Sequence, residues 1–330
     1  MTVKIAVLPN VGTQERVFTE EIKRELEQLG EVVYNDSASS DAETVKKVIA
    51  GADIAITSWG VANLDANILD AAPNLKAVIH AAGSVKPVVS QELWNRGIRV
   101  SSGNGPLGIG VAETALALTI TSLKNMWRIR EETREGGWRE EKKRTREMYG
   151  VTIGVIGAGK AGRHFIKLLK NFDVHILLAD PVVSAEQAQE LGVEKVELDE
   201  LMSRSDVVSI HAPSIPATYK MINRERLALM KDGAILINTA RGSIVDEEAL
   251  AAELETERLF ACIDVTDPEP PAADHPFRKL RNCVLTSHIA GAVTNGIYRI
   301  GRFAVQEVER FLKGEKMEGE VYEKDMSVLA

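Results

Sequence analysis

Short runs of β-branched and other apolar residues alternate with segments of helical periodicity along most of the chain. In Glu20–Leu29, for example, apolar residues recur at Ile22, Leu26 and Leu29, which is the spacing of one helix face. This alternation predicts an α/β protein, with parallel sheets covered by helices. The predicted strands are Ile5–Leu8, Val32–Tyr34, Ile54–Thr57, Leu75–His80, Ile98–Ser101, Val151–Ile156, Val174–Ala179, Val207–Ile210, Ala234–Asn238, Phe260–Ile263 and Val284–Ser287.

Two helices longer than the rest are predicted, at about Gly110–Glu135 and at Asn295–Leu312. The segment Val111–Leu123 is apolar on every side, so we expect it to be buried. Arg128–Glu147 holds eight basic and six acidic residues with the signs interspersed, which predicts a solvated helix face and a surface arm. Near the end of the chain, Val321-Tyr322 is expected to pack back on the first domain.

Length, composition and charge narrow the class of protein. The 330 residues suggest two domains. With 40 basic and 48 acidic residues the net charge is -8, which disfavours nucleic-acid and anionic-membrane partners because both are negative. The opening residues read as a first strand rather than a signal peptide. A cytoplasmic protein is therefore expected.

Cysteine and histidine give no sign of a metal site or a disulfide framework. Cys262 and Cys283 are the two cysteines, too few for a disulfide scaffold or a four-cysteine zinc site, and both are expected to be buried structural thiols. No i,i+4 pair and no shared loop occurs among His80, His164, His175, His211, His275 and His288. We predict no bound metal.

The strongest local motif is a glycine loop that follows the strand Val151–Ile156 and opens an amphipathic helix. It reads Gly157-Ala158-Gly159-Lys160-Ala161-Gly162. Glycines at this spacing allow a tight turn, close approach of a pyrophosphate and close helix–strand packing. Asp180 follows the next strand. A carboxylate at this place accepts hydrogen bonds from the ribose hydroxyls and repels a 2′-phosphate. The motif predicts a dinucleotide site that prefers NAD to NADP.

Polar residues follow each strand of the second half of the chain. Ligands of open α/β sheets bind outside the carboxyl ends of the strands, so these residues are expected to line one crevice. Taken singly, each has a structural alternative: His211 as a strand cap, Asp264 as a turn residue and His288 as a packed core histidine. The set comprises Gly157, Asp180, His211-Ala212-Pro213, Thr239-Ala240-Arg241, Asp264 and His288.

At four places the sequence resembles the NAD-dependent D-isomer-specific 2-hydroxyacid dehydrogenases. The matching segments are Gly157–Gly162, Asn238-Thr239-Ala240-Arg241-Gly242, Asp264-Val265 with Glu269-Pro270, and Ser287-His288-Ile289-Ala290-Gly291. The resemblance covers nearly the whole chain and is weaker in the first 100 residues. It implies an oxidoreductase that transfers a hydride between NADH and a 2-keto acid to give a D-2-hydroxy acid.

The resemblance implies a catalytic set of Arg241, Glu269 and His288, and the residue types suit that chemistry. His288 can give a proton to the carbonyl oxygen, and Glu269 can orient the imidazole and favour its protonated form. Arg241 offers a planar fork of donors for the substrate carboxylate and carbonyl. A rigid surface turn with a solvated glutamate is the alternative for the proline-rich loop around Glu269.

Binding residues are implied in the same way. The cofactor contacts would be Gly157, Ala158, Gly159, Lys160, Ala161, Gly162, Asp180, His211, Ala212, Pro213, Thr218, Thr239, Ala240, Arg241, Asp264, His288 and Gly291, with Asp264 holding the nicotinamide carboxamide. The substrate contacts would be Trp59, Ala82, Gly83, Ser84, Arg241 and His288. The loop at Ala82–Ser84 matches where the family binds the substrate carboxylate, and a glycine-containing turn of this kind can form an anion nest.

Two departures from the family pattern bear on the substrate. The family usually has an acidic residue after the substrate loop, whereas this chain has Val85-Lys86-Pro87. The segment Gly103–Gly108 is also unusual, because the family typically shows a proline-glycine pair and an asparagine in this region. A phosphoglycerate dehydrogenase would carry a basic residue around Thr57-Ser58-Trp59, where none is present. We therefore expect a 2-keto acid with an uncharged or apolar side chain.

The resemblance also implies the architecture. A Rossmann-type, doubly wound NAD-binding domain, residues 102–295, is inserted into a smaller flavodoxin-like substrate domain made of residues 1–101 and 296–330. Substrate would bind in the cleft between them. The helix Val111–Leu123 is expected to seed a homodimer interface, with burial inside one chain as the alternative.

Three rival functions remain open on the same scaffold. Formate dehydrogenase would be expected to have Gln in place of Glu269. An NAD-sensing corepressor-like protein would keep the fold and much of the catalytic set without catalysing the reaction. A phosphoglycerate dehydrogenase without a regulatory domain is the third.

Overall fold

The structure, a computed structural model, describes residues 2–329. The strands are β1 Lys4–Val7, β2 Glu31–Tyr34, β3 Ile54–Thr57, β4 Ala77–His80, β5 Arg99–Ser102, β6 Tyr149–Ile156, β7 Asp173–Ala179, β8 Glu194–Lys195, β9 Val207–Ile210, β10 Ile235–Asn238, β11 Phe260–Ile263, β12 Cys283–Leu285 and β13 Glu320–Val321. The helices are α1 Val11–Val17, α2 Glu20–Glu27, α3 Ala42–Val48, α4 Ala66–Leu69, α5 Gln91–Asn95, α6 Asn104–Leu123, α7 Met126–Arg134, α8 Lys160–Leu169, α9 Ala185–Glu190, α10 Leu198–Arg204, α11 Arg224–Leu229, α12 Glu247–Glu255 and α13 Asn295–Leu312.

The chain divides into two compact units. One combines Met1–Leu107 with Ala292–Ala330, and the other is Gly108–Gly291. The predicted domain boundaries, at residues 102 and 295, lie close to these limits. Helix α6 begins in the first unit and ends in the second.

The first unit is built on a six-stranded sheet in the order β13-β5-β4-β3-β1-β2. Five strands are parallel, and β13 pairs antiparallel with β5 through Val321 and Val100. Val321 joins the core on one face of this sheet, as expected for the end of the chain. On the other face α13 packs next to β4, and its apolar residues, including Ile297 and Val308, share a core with Ile5 and Val7 of β1.

The second unit is a seven-stranded parallel sheet in the order β12-β11-β10-β9-β6-β7-β8. Separate hydrophobic cores cover its two faces, because α6, α8 and α9 pack on one face and α10, α11 and α12 pack on the other. The prediction of a Rossmann-type doubly wound sheet beside a second α/β unit is therefore confirmed.

The single helix predicted for Gly110–Glu135 is wrong in two respects. Helix α6 begins earlier, at Asn104, because Pro106 lies in its first turn, where a missing N–H costs nothing. The helical path then breaks at Asn125, whose φ of 51° is left-handed, and α7 follows as a separate helix. Asparagine tolerates this conformation better than most residues. The pattern also failed to predict α1 and the two-residue strands β8 and β13.

Helix α6 is long and apolar enough to cross a membrane by length and composition, with a mean hydropathy of 1.4. This is weak evidence for a membrane span, because a core helix of a soluble protein passes the same test. Its residues Ala112, Ala115, Leu118 and Leu123 belong to the core of the second unit. Nevertheless, 39% of the most apolar 18-residue stretch of α6 is buried in the structure.

Candidate active site

The polar residues predicted to line a crevice lie along one edge of the seven-stranded sheet. Strands β11, β10, β9, β6 and β7 are neighbours and run parallel, so their carboxyl ends meet at this edge. The residues that follow these ends are Asp264, Thr239, His211, Gly157 and Asp180. The structure thus brings this set together, as the sequence predicts.

The glycine loop has the geometry that its motif requires. Gly157 has a φ of 91°, and a Cβ there would lie 2.9 Å from the backbone of Ala212. A Cβ on Gly162 would lie 2.1 Å from the carbonyl oxygen of Gly157, so only glycine allows this packing. A Cβ on Gly159 would meet no atom of residues 2–329 within 4 Å. The loop is therefore tight against the protein at both ends and open in the middle.

Two groups beside the loop define its electrostatics. Helix α8 begins after Gly159, which provides no side-chain cap, so first-turn N–H groups of a ten-residue helix remain available to an anion. The carboxylate of Asp180 accepts hydrogen bonds from the N–H groups of Ala158 at 2.7 Å and Val182 at 2.8 Å. Asp180 therefore fixes the loop in addition to the ribose contact predicted for it.

Two buried polar atoms at the same edge have no hydrogen-bond partner among the described residues: His211 Nδ1 and Thr239 Oγ1. The other ring nitrogen of His211 contacts Ser209 Oγ at 2.9 Å, and its ring lies 5.0 Å from that of Phe165. Burial lowers the pKa of His211 to about 4, so the ring is neutral near pH 7. Orphaned buried groups are rare in proteins and fit a site that receives a polar ligand.

The segment between β12 and α13 presents His288, whose Nδ1 lies 2.9 Å from Oε2 of Glu269. The side chains are 47% and 40% exposed, so His288 is not a packed core histidine, and Glu269 is not simply a solvated residue of a turn. Because an ionised carboxylate only accepts, Nδ1 carries the hydrogen in this contact. Nε2 is then the ring nitrogen left for another partner.

Asp264 holds the turn that carries His288. Its carboxylate is fully buried and accepts hydrogen bonds from Thr286 Oγ1 at 2.6 Å, Ile289 N at 2.9 Å and Ala290 N at 2.8 Å. Its carbonyl oxygen accepts from His288 N at 2.9 Å. These bonds stabilise the left-handed backbone of His288, which has a φ of 53°. The nicotinamide contact predicted for Asp264 would be additional to this bonding.

Arg241 is exposed and lies at the start of a short 3₁₀ turn after β10. The buried side chain of Asn238 shapes this segment, since its Nδ2 donates to the Arg241 carbonyl at 2.9 Å and its Oδ1 accepts from Ala240 N at 3.0 Å. One Arg241 Nη donates to the Ala240 carbonyl at 2.6 Å, which leaves the rest of the guanidinium fork available.

The other predicted cofactor residues of this unit are less directly supported. The hydroxyl of Thr218 is engaged within its own loop, donating to the Pro213 carbonyl at 2.6 Å and accepting from Ile215 N at 3.0 Å. Lys160 and Ala161 lie in the first turn of α8, and Gly291 directly follows the anchored Ala290. Their cofactor contacts stay predictions.

The predicted substrate loop Ala82–Ser84 lies in the first unit and is held by side chains of neighbouring strand ends. Ser58 Oγ donates to the Ala81 carbonyl at 2.7 Å, and Ser102 Oγ donates to the Gly83 carbonyl at 2.6 Å. Trp59, next to Ser58, is 39% exposed. Behind the loop, His80 contacts Thr57 Oγ1 at 2.9 Å, and burial lowers its pKa to about 4.

Among residues 2–329, no group of three or more His, Cys, Asp or Glu side chains could hold a metal ion. Cys262 is fully buried and contacts Ser122, and burial raises its pKa to about 12. Burial also raises the pKa of Cys283.

Comparison with known proteins places these features in a family. Residues 116–290 match the model of the D-isomer specific 2-hydroxyacid dehydrogenase NAD binding domain. A hydroxypyruvate reductase of Thermotoga maritima is 33% identical over 88% of this chain and 92% of its own length. The TT0316 protein of Thermus thermophilus superposes with a TM-score of 0.76 at 30% identity, covering 97% of this chain and all of that one.

A third relative differs in length. A D-3-phosphoglycerate dehydrogenase of Archaeoglobus fulgidus is 35% identical over 76% of this chain but over 48% of its own length. The chain thus spans about half the length of that relative. The glycine cradle, the uncapped helix and the two orphaned polar atoms fit the NAD that the matched model describes. The chain belongs to the D-isomer-specific 2-hydroxyacid dehydrogenase family.

Proposed function

We propose that the protein is an NAD-dependent oxidoreductase that interconverts a 2-keto acid and a D-2-hydroxy acid. The observation that carries this proposal is the exposed His288–Glu269 hydrogen bond of 2.9 Å, in the same compact unit as a glycine loop suited to a dinucleotide. An imidazole oriented by a carboxylate is suited to proton transfer near neutral pH. Membership of the family supports the same reaction class.

His288 is the proton donor for reduction and the acceptor for oxidation. Bound NADH supplies the hydride that reaches the carbonyl carbon. The hydrogen on Nε2 of the imidazolium passes to the carbonyl oxygen, and the ring is left neutral with its remaining hydrogen on Nδ1. Glu269 holds that hydrogen and so keeps Nε2 aimed at substrate. Arg241 binds the substrate carboxylate and polarises the carbonyl through its free guanidinium donors.

The NAD site is formed by Gly157–Gly162 and the residues that follow the neighbouring strands. The N-terminus of α8 would receive the pyrophosphate, Asp180 would accept hydrogen bonds from the ribose hydroxyls, and His211, Ala212, Pro213, Thr218, Thr239, Ala240, Asp264 and Gly291 would line the remainder. Replacing Asp180 by Ser removes the charge that repels a 2′-phosphate. We expect the ratio of kcat/KM with NADH to that with NADPH to fall, and an unchanged ratio would remove Asp180 from this role.

Ala82–Ser84 and Trp59 bind the substrate, which is a 2-keto acid with an uncharged or apolar side chain. The absence of a basic residue at positions 57–59 and the exposed Trp59 support this class. Similarity to a D-3-phosphoglycerate dehydrogenase favours a phosphorylated substrate as the second candidate. Assays with glyoxylate, hydroxypyruvate, branched 2-keto acids and phosphohydroxypyruvate separate them, and the highest kcat/KM for phosphohydroxypyruvate would overturn the first assignment.

The decisive test of the reaction is His288→Ala. Most turnover should be lost while NADH binding survives, because the side chain acts on the carbonyl oxygen. Near-normal turnover would remove His288 from the proton-transfer role. If the unaltered protein binds NADH tightly but reduces no keto acid, the NAD-sensing, non-catalytic alternative is favoured instead.

The domain assignment and the assembly are part of the same proposal. Residues 102–295 are the NAD-binding domain, inserted between the two segments of the substrate domain, and the compact units support this division. The apolar α6, incompletely buried by its own chain, supports a homodimer. We place the protein in the cytoplasm, without nucleic-acid or membrane partners. A monomeric mass in analytical ultracentrifugation would contradict the dimer.

A further inference from the structure

The loop that carries Glu269 is exposed over most of its length and anchored at its two ends. Residues 267–270 and 272–274 are exposed, whereas Thr266 before them is buried and His275 after them is mostly buried. An exposed loop does not by itself hold a carboxylate at hydrogen-bond distance from an imidazole. The anchors of this loop therefore govern the contact between Glu269 and His288.

One side chain from another element holds both ends. Glu247 is the first residue of α12, and its carboxylate is 14% exposed. Its Oε1 accepts from the backbone N–H of Asp267 at 3.0 Å, two residues before Glu269. Its Oε2 contacts Nε2 of His275 at 3.1 Å, at the far end of the loop. Burial raises the pKa of Glu247, and these two donors oppose the shift.

The protonation of His275 follows from its neighbours. Its Nδ1 accepts from the backbone N–H of Phe277 at 3.3 Å and caps the short 3₁₀ helix Pro276–Arg278. A neutral imidazole has one hydrogen, so that hydrogen is on Nε2 and points at Glu247. His275 thus has two separable contacts, one toward its own helix and one toward the carboxylate.

Two further contacts complete the mounting of the loop. Gly242, which follows Arg241, packs so closely on the backbone of Thr266 that a Cβ would lie 2.1 Å from its carbonyl carbon. Arg278 donates to the carbonyls of Pro271 and Ala272 at 3.0 Å and 2.9 Å. The loop is thus held from α12, from the Arg241 segment and from its own downstream turn.

We propose that Glu247 and His275 are positioning residues that hold Glu269 against His288 by closing the ends of the Glu269 loop. The catalytic part of this inference rests on the proposed dehydrogenase function. Neither residue touches a reacting atom in this role. Both act through the orientation of Glu269, and through it on the hydrogen at Nδ1 of His288.

Three substitutions separate the contacts that Glu247 and His275 make. Glu247→Gln keeps one acceptor oxygen, so either Asp267 N–H or His275 Nε2–H must face the amide NH₂ and lose its bond. His275→Gln keeps a donor that reaches Glu247 but loses the cap on Phe277. His275→Asn keeps the cap and cannot reach Glu247. Glu253→Gln is the matched control, since Glu253 lies on the same helix and pairs with Arg258.

The first measurement needs no substrate. The ring ¹⁵N chemical shifts of His288 report which nitrogen carries the hydrogen. They are assigned by their loss in His288→Asn and are recorded at a pH well above the ordinary pKa of histidine. Glu269→Ala, which removes both carboxylate oxygens, defines the signal of a lost contact. We expect Glu247→Gln and His275→Asn to move His288 toward that signal, and His275→Gln and Glu253→Gln to leave it near that of the unaltered protein.

The second measurement is turnover. Glu247→Gln and His275→Asn should lower kcat about 10-fold or more with the NADH dissociation constant unchanged, since misplacement of a catalytic group is costly. In the Glu269→Ala background, where the contact with His288 is already absent, the same substitutions should add no further loss. Folded variants with lower thermal stability but an unaltered His288 signal would overturn the inference. Absence of turnover in the unaltered protein, with the signal moving as expected, would refute the proposed reaction and leave the positioning role supported.

Discussion

Replacing Asp264 by Asn tests whether this buried carboxylate holds the turn that carries His288. The substitution keeps the shape and replaces one acceptor oxygen by an NH₂ group. The N–H groups of Ile289 and Ala290 approach different carboxylate oxygens, at 2.9 Å and 2.8 Å. Whichever way the amide is turned, one of them faces a donor and loses its partner.

The size of the effect follows from the charge and burial of the lost bond. Asp264 is fully buried, so water cannot replace the acceptor. Loss of a hydrogen bond to a charged group costs about 2 kcal/mol. With about 1.4 kcal/mol per tenfold change, the local opening of this turn should become about 30-fold more frequent.

Hydrogen–deuterium exchange of the peptide spanning residues 286–291 measures this opening directly. Exchange should accelerate, and kcat should fall with it, because His288 loses its fixed backbone. Asp246→Asn is the control, since asparagine also caps a helix N-terminus and should leave both quantities unchanged. If exchange is unaltered and NADH binding alone weakens, Asp264 acts on the cofactor and the reasoning about the turn is refuted.

Three other predictions concern the cofactor loop, acid stability and the first unit. Gly162→Ala should destabilise the fold, because its Cβ would lie 2.1 Å from a backbone oxygen, whereas Gly159→Ala should leave thermal stability intact and weaken NADH binding in calorimetry; equal losses of stability would contradict this. His80 and His211 each have a pKa of about 4 in the folded state against about 6.5 unfolded, so the unfolded chain binds more protons and stability should be lost as pH falls from about 6.5 toward 4, by about 3 kcal/mol per histidine. Urea midpoints that stay flat over that interval would count against it, and His80→Gln should reduce the slope. Glu307→Ala should cost about 3 kcal/mol in urea unfolding, because Ser101 Oγ, Glu318 N and Gly319 N lose the fully buried carboxylate that accepts from them, whereas a matched loss at the half-exposed Glu309 should have little effect.

The sheets and the cofactor loop could be predicted because their signals are local. An apolar run of four residues marks a buried parallel strand, as at Phe260–Ile263, and three glycines at fixed spacing mark the turn that follows β6. The break at Asn125 could not be predicted, since asparagine inside a charged helical pattern also occurs without a break. Strand β13 is two residues long and exists only because β5 offers an unpaired edge.

The catalytic pair could be predicted through resemblance, whereas the groups that hold it could not. Glu247 lies in the segment Asp-Glu-Glu at the start of α12, a pattern typical of a helix cap followed by a solvated first turn. Its partners, Asp267 and His275, are 20 and 28 residues away. The resemblance implies a nicotinamide contact for Asp264, whereas its bonds to Ile289 and Ala290 depend on where β11 and the segment after β12 meet. Such contacts between distant segments leave no periodic trace.

The discontinuous first unit has a consequence for the order in which the protein is made. Ile5 and Val7 of β1 share a core with Ile300 and Val308 of α13, which is synthesised after every element of the second unit. The unit Gly108–Gly291 is complete before then. At about 5–20 residues per second, the next roughly 20 residues take about 1–4 s to synthesise. During that interval the second unit is finished while the apolar face of the first sheet is covered by α1 and α2 but still lacks α13, which is when a chaperone has most to protect.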